Sequence, residues 1–152
     1  MMTKTESLNK MREKGAYDAK TLRTEAAEGM VTETEIIERE EAVPAFDPEK
    51  DYRDWPINSP VGDEGQVWLL LQPHNAADYE VRPATLRALW GLAHTKDPKK
   101  AKPYVAPYGT SGLYQVGECC LWTDGLVYIN NQPNNPYSPA EMPGYWDPLA
   151  EE

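Results

Sequence analysis

Two tyrosines, Tyr79 and Tyr137, lie in loops that are rich in proline and in amide side chains. Prolines limit the freedom of such a loop, so a ring held there loses little entropy when it stacks on a ligand. An aromatic face suits a sugar ring, and neighbouring amides can hydrogen-bond the sugar hydroxyls. The residues predicted to bind a glycan are Gln72, His74, Tyr79, Gln132, Asn134, Asn135 and Tyr137. The alternative is that both tyrosines only cover the neighbouring strands.

The histidines and carboxylates do not form a recognisable catalytic motif. His74 and His94 have no nucleophile at the spacing of a known motif. Glu118 and Asp124 flank a predicted hairpin turn, where the sequence gives no sign of a cleft. We therefore predict that the protein is not an enzyme and needs no cofactor.

The two cysteines, Cys119 and Cys120, are adjacent in the sequence. Adjacent residues of a strand point to opposite faces of the sheet, so these thiols are poorly placed to bond each other. Neither histidine stands at metal-ligand spacing from them. We expect two half-buried free thiols and no metal site.

Length and charge exclude several classes of function. A chain of 152 residues can hold one ordinary domain or two small ones. The net charge of −10 argues against a nucleic-acid partner, which would require a basic face. The sequence shows neither the long apolar run of a transmembrane helix nor the apolar core of a secretory signal. We expect synthesis in a cytoplasm and no membrane partner.

Aromatic residues divide the chain into two regions, because all five tryptophans and eight of the nine tyrosines follow residue 50. The first region predicts short helices over 4–14, 18–28 and 32–43. Asp18 is the predicted N-cap of the second helix, and Thr32 and Glu35 form a capping box on the third. The apolar stripes consist of Leu22, Ala26 and Met30, and of Ile36, Ile37 and Val43. Such narrow stripes do not hold an isolated bundle, so the region either caps its own domain or docks on a larger assembly.

The second region predicts small antiparallel β modules. Turn signals at 63–65 and 123–125 each join two strand patterns, as in a β-hairpin. A short helix is predicted after Pro83. The predicted fold class is α+β, with a helical arm over 1–46, a first module over 47–95, a linker over 96–110 and a second module over 111–148.

The two modules share matched spacings, which predict an internal duplication. The interval from Gly65 to Gln72 and the interval from Gly125 to Gln132 are both seven residues. A Pro-Ala pair also begins seven residues before the final tryptophan of each module. Modules this small need large aromatic side chains as their core. The predicted core aromatics are Trp68, Trp90, Tyr114, Tyr128 and Trp146.

These motifs resemble the chitin-binding type 3 modules, that is, carbohydrate-binding module families five and twelve. In the second module the matching positions are Tyr114, Gly117, Glu118, Gly125, Tyr128, Pro139 and Trp146. In the first module they are Gly65, Trp68, Gln72, His74, Pro83, Leu89 and Trp90, with Tyr52 as the first aromatic. Residues 79–83 and 137–139 stand where that family has a Trp-Thr-Pro loop. The resemblance implies two sugar-binding modules.

The pair of modules after a helical segment also resembles a family of virion proteins of phages and prophages of Gram-positive bacteria. That resemblance covers residues 30–148 and implies a non-enzymatic accessory protein of a tail, a fibre or a decorated head, located in the virion. It implies contacts with other virion proteins through residues 1–46 and with glycans of the host cell wall or surface, and it allows a homo-oligomer. The alternative is a purely structural virion protein whose modules contact other virion proteins.

Overall fold

The computed structural model describes residues 18–149 and has an α+β fold with two small β modules. Its helices are α1 over residues 18–27 and α2 over Glu33–Glu38. The first sheet contains β1 (Pro60–Asp63), β2 (Gln66–Leu70) and β3 (Trp90–Leu92). The second contains β4 (Lys102–Pro103), β5 (Cys119–Leu121), β6 (Val127–Asn130) and β7 (Trp146–Pro148). This confirms the predicted fold class, while the helix predicted over 4–14 lies outside the described residues.

The first sheet is antiparallel, in the order β1-β2-β3. Its hairpin turns on Glu64 and Gly65, whose φ values are 52° and 79°. Positive φ at both central positions marks a type I′ turn, whose twist matches that of the flanking strands. Along β2, Val67 packs against the helices, whereas Trp68 and Leu70 pack in an aromatic cluster. Because side chains alternate along a strand, both faces of the sheet are covered.

The two helices cover one face of the first sheet. Their side chains buried against β2 are Leu22, Ala26, Ile36 and Ile37. Gly29 has a φ of 70°, which turns the chain away from the axis of α1, and Met30 is consequently 66% exposed. The predicted place of Met30 in the apolar stripe is therefore wrong. Asp18, predicted as an N-cap, already has helical backbone. Neither of the helices described is long and apolar enough to cross a membrane.

The start of α2 is fixed by the predicted capping box. The Glu35 N–H donates to Thr32 Oγ1 over 3.1 Å, and the Thr32 N–H donates to Glu35 Oε1 over 3.2 Å. The helix is shorter than predicted, because it ends at Glu38 and a 3-10 turn follows over Glu40–Ala42. Val43 is then extended, as expected for the residue before a proline.

Aromatic rings fill the other side of the first sheet. Trp68 and Trp90, two of the predicted core aromatics, are buried there. The ring centroids of Phe46 and Tyr52 lie 5.7 and 5.4 Å from that of Trp90, and both rings are nearly perpendicular to it. Edge-to-face contacts of this kind stabilise an aromatic core. Phe46 comes from the segment predicted as an arm, but its backbone N–H donates to Gly62 O over 2.8 Å.

Tyr114 and Trp146 form the centre of the second module. Their ring centroids lie 5.0 Å apart at an interplanar angle of 71°, and Cys120 is buried beside them. Tyr128 differs from its predicted place in this core, because it is only half-buried. Its hydroxyl reaches the hairpin turn and donates to Asp124 Oδ2 over 2.6 Å, so the ring packs at the edge of the core.

Residues 96–110, predicted as a linker, contribute a strand to the second sheet. β4 pairs in parallel with β5, with Lys102 opposite Cys120. Two residues later the ring of Tyr104 stacks on Tyr114, with 5.5 Å between ring centroids. Lys102 Nζ also forms an ion pair with Glu40 Oε1 at 2.6 Å. The segment therefore joins the helical region to the second module.

The two modules are also in direct contact. The backbone N–H of Cys119 donates to Thr95 O over 2.9 Å, which continues the first module into β5. Gln66 Nε2 of the first sheet donates to Pro103 O over 2.8 Å. These bonds join the first module to strands of the second sheet, so each module supplies part of the surroundings of its neighbour.

The strand register is the same in the two modules at their final tryptophans. Leu70 pairs with Trp90 in the first sheet, and Asn130 pairs with Trp146 in the second. The hairpin turns differ, because the second has three residues, 123–125, closed by the Trp122 N–H donating to Leu126 O. Matched register agrees with a duplication without establishing common descent, and the duplication stays a prediction.

Candidate functional site

Tyr137 lies on the surface of the second module and is 42% exposed. The backbone N–H and the backbone carbonyl of Tyr137 both form hydrogen bonds. Its N–H donates to Asn135 Oδ1 over 2.8 Å, and its carbonyl accepts from Trp146 Nε1 over 2.9 Å. Tyr145 lies beside it, with 6.2 Å between ring centroids and a tilt of 57° between ring planes. The loop thus presents an exposed ring on a backbone that is anchored in the core.

The residues that follow Tyr137 close the loop with reciprocal hydrogen bonds. The Ser138 N–H donates to Glu141 Oε1 over 3.0 Å, and the Glu141 N–H donates to Ser138 Oγ over 3.1 Å. Pro139 is buried directly after Ser138. These contacts leave the loop little freedom, as expected from its proline content.

The amide side chains of the same loop differ in their exposure. Asn134 is exposed, and the Gln115 side chain holds it through two hydrogen bonds of 2.9 and 3.0 Å. Gln132 is half-buried and donates through Nε2 to Asn131 Oδ1 over 3.0 Å. Asn134 and Gln132 are therefore the two predicted amides of this loop that reach its surface.

Asn135 and His74 are placed differently from the prediction, because both side chains are buried. Asn135 Nδ2 donates to Asn130 Oδ1 over 2.9 Å, while Asn135 Oδ1 accepts from Tyr137. His74 Nδ1 lies 2.7 Å from Gln72 O, and its ring meets Trp90 edge-on. These two residues hold their loops in shape and do not reach a ligand on the surface.

The first module presents a single exposed ring in the corresponding loop. Tyr79 is exposed and meets the ring of His74 edge-on, with 5.4 Å between ring centroids. Gln72 is also exposed and donates through Nε2 to Ala88 O over 3.2 Å. Asn75 accepts from the N–H of Ala77, as Asn135 does from Tyr137, so the two loops begin with the same kind of turn.

A second site, which was not predicted, lies where α2 meets both modules. The backbone N–H of His94 donates to Glu33 Oε1 over 3.1 Å, and His94 Nδ1 lies 3.1 Å from Glu118 Oε1. The ring of His94 stacks on Tyr114, with 3.7 Å between ring centroids. Glu118 was expected at a hairpin without a cleft, but it lines two cavities. The three polar residues come from distant parts of the chain, so no local motif marks them.

Burial and charge change the acidity of groups near this second site. Burial raises the pKa of Glu33, and the neighbouring carboxylate of Glu118 raises it further. Burial also raises the pKa of Cys119 to about 11 and that of Cys120 to about 12. Both thiols are free, but they are buried and not half-buried as predicted. The reason is that Cys119 Sγ lies against Thr95 O of the first module, while Cys120 packs with Tyr114 and Trp146. Within residues 18–149 no group of three or more histidine, cysteine or acidic side chains is arranged to hold a metal ion.

No protein-family model matches this chain, and no curated protein matches it.

Proposed function

We propose that the protein is a non-enzymatic glycan-binding protein and that the loop around Tyr137 contacts the sugar. The observation that carries the proposal is an exposed ring whose backbone is hydrogen-bonded to Asn135 and Trp146. A ring on a backbone that is already fixed loses less entropy when it stacks on a ligand than one on a mobile loop. Tyr145 adds aromatic area beside it, and Asn134 supplies an exposed amide.

The proposed setting is the phage virion, which rests on the resemblance of the sequence to virion accessory proteins. In that setting the protein contacts glycans of the host surface or cell wall. The apolar sides of α1 and α2 are covered by the first sheet. An attachment to other virion proteins would therefore use surfaces other than the buried sides of these helices.

The variant Tyr137→Ala tests the proposal. Removing a stacking aromatic costs roughly 1–3 kcal/mol by analogy with bases stacked on aromatic side chains, so binding is expected to weaken about tenfold to hundredfold. The ring is exposed, so thermal stability is expected to stay close to that of the wild type. Binding is measured by pull-down on purified cell walls of Gram-positive bacteria, and stability by thermal melting.

Tyr108→Ala is the matched control, because Tyr108 is 58% exposed and lies outside the loop. It should bind cell walls as the wild type does. If Tyr137→Ala binds equally well, or if it melts early, then the tyrosine is a structural cover and the glycan proposal fails. A stable complex with tail or capsid proteins, without any signal on a glycan array, would instead favour the purely structural virion role.

A further inference from the structure

Two adjoining cavities meet at the junction of α2 with the two modules. Their volumes are about 430 and 220 Å3, and residues that line both of them are Glu33, Leu69, Gln115 and Glu118. The larger volume lies in the range of about 300–1,000 Å3 that is usual for small-ligand sites. The shared lining includes two acidic residues and one apolar residue, while the amide of Gln115 is already hydrogen-bonded to Asn134.

A buried histidine adds a polar atom that has no hydrogen-bond partner in the part of the chain that the structure describes. His94 is 5% exposed, lines the smaller cavity, and its Nε2 makes no hydrogen bond among the described residues. Its Nδ1 lies 3.1 Å from Glu118 Oε1. An ionised carboxylate can only accept, so in the neutral ring the proton belongs on Nδ1, and Nε2 is left as an acceptor.

The junction therefore has an excess of acceptors and of negative charge. Within residues 18–149 neither Glu33 nor Glu118 has a lysine or arginine nitrogen within 4.0 Å. Lys96 lines the larger cavity, but its side chain lies along Gly117 and makes none of these ion pairs. The raised pKa of Glu33 agrees with this picture, because burial and the nearby Glu118 both oppose its ionisation.

We propose that this cleft binds a small organic cation through a primary ammonium group. An ammonium has three N–H donors and no acceptor, which complements a pair of carboxylates. The unpartnered Nε2 of His94 is a further acceptor buried at the same junction. Its positive charge would also relieve the repulsion between Glu33 and Glu118. The side chains present are not arranged as a metal site within the described chain, which favours an organic cation over a metal ion.

Ethanolamine is the probe, followed by NMR through the His94 ring and the Gln115 backbone amide. Binding should be weak, in about the millimolar range, because a ligand of this size makes few contacts. Ethylene glycol lacks the charge, and tetramethylammonium lacks the N–H donors. Both are expected to leave these signals unchanged at the concentrations where ethanolamine shifts them.

Glu33→Gln removes one negative charge but keeps an oxygen that can accept from the His94 N–H. It should weaken ethanolamine binding about tenfold, which corresponds to the loss of about 1.4 kcal/mol. Glu38→Gln makes the same change of net charge on an exposed residue of α2 and should have no effect. Tyr137→Ala should also leave ethanolamine binding intact, because Tyr137 lines neither of the two cavities.

Four results would overturn the proposal. The first is that ethanolamine produces no shift, and the second is that ethylene glycol produces the same shift. The third is that Glu33→Gln and Glu38→Gln weaken binding equally while both variants melt like the wild type. Calcium binding at the same signals, in preference to ethanolamine, would likewise replace the organic cation with a metal ion.

Discussion

Single buried polar side chains determine the shape of the surface loop in the second module. Asn130 is fully buried, and its Nδ2 donates to the backbone carbonyls of Tyr114 and Gln132. Its Oδ1 accepts from the side chain of Asn135 and from the Gln132 backbone. A buried amide that is fully hydrogen-bonded fixes one arrangement, because losing any partner would leave a polar group unsatisfied. The exposed Tyr137 is therefore positioned by residues that a ligand does not touch.

The buried thiols are expected to react slowly with disulfide reagents while the protein is folded. The thiolate is the reactive form, and the pKa values of about 11 for Cys119 and about 12 for Cys120 leave little of it at pH 8. Labelling with Ellman's reagent at pH 8 should be at least about tenfold slower than in unfolding denaturant, since the ordinary thiol pKa is about 8.5. Equal rates in both conditions would show that the thiols are accessible.

The same shifts predict the direction of the alkaline stability change. Above pH of about 8.5 the unfolded chain loses its thiol protons while the folded chain keeps them, so stability falls as the pH rises. Tyr104 acts in the same direction, because burial raises its pKa to about 12. Urea midpoints measured between pH 8 and pH 11 should therefore decrease steadily, and a constant midpoint would contradict the pKa shifts.

Sequence reasoning at the residue scale succeeds where a local pattern determines the environment. Tyr137 is in a loop of prolines and amides, and it is exposed. Asn135 is in the same loop but is buried, because a bridge to Tyr114 brings it under the strands. That bridge depends on residues twenty-one positions apart, and local composition gives no sign of it. Local composition likewise gives no sign that Glu33 and Glu118 line the same cavities.

At the scale of elements, the capping box fixes the start of α2, where Thr32 and Glu33 line the larger cavity. Thr32→Ala removes the side chain that accepts from the Glu35 N–H. Loss of such a cap costs about 1 kcal/mol, so the urea midpoint should fall accordingly. Thr24→Ala is the control, because Thr24 lies inside α1 and its hydroxyl bonds the Lys20 carbonyl of the same helix. If both variants unfold at the same urea concentration, the box contributes nothing to stability.

The sequence predicts an element well when the residues that determine it lie within that element. The hairpin turns at 63–65 and 123–125 carry glycine where the backbone has positive φ, and sequence pattern identifies them. β4 has only two residues, one of them Pro103, so it shows no strand pattern of its own. β4 forms because β5 supplies a pairing partner, and Tyr104 then packs against Tyr114, Cys120 and Trp146. Long-range pairing of this kind cannot be recognised from the segment alone.

On the scale of the whole molecule, the contacts between the modules predict one cooperative unfolding transition. Thr95 bonds Cys119, Gln66 bonds Pro103, and His94 stacks on Tyr114. Trp146→Ala should therefore lower the stability of the whole chain by about 3–5 kcal/mol, the usual cost of truncating a buried aromatic. Tryptophan fluorescence and far-ultraviolet circular dichroism should report the same lowered urea midpoint.

Leu149→Ala provides the control for that experiment, because Leu149 is exposed. Its free energy of unfolding should stay within about 0.5 kcal/mol of the wild-type value. If Trp146→Ala shows two separate transitions, and only the transition of the second module moves to lower urea, then the modules unfold independently. The contacts across the junction would then be too weak to couple them.

The position of β4 has a consequence for how this protein can be cut and recombined. A gene fragment that began at residue 111 would contain three strands of the second sheet but would omit β4 and Tyr104. The β4-facing side of β5 would be left open, and open strand edges recruit strands from other molecules. Recombination would transfer the complete second sheet only if the breakpoint lay upstream of Lys102. Placing it upstream of Thr95 would also retain the backbone bond to Cys119.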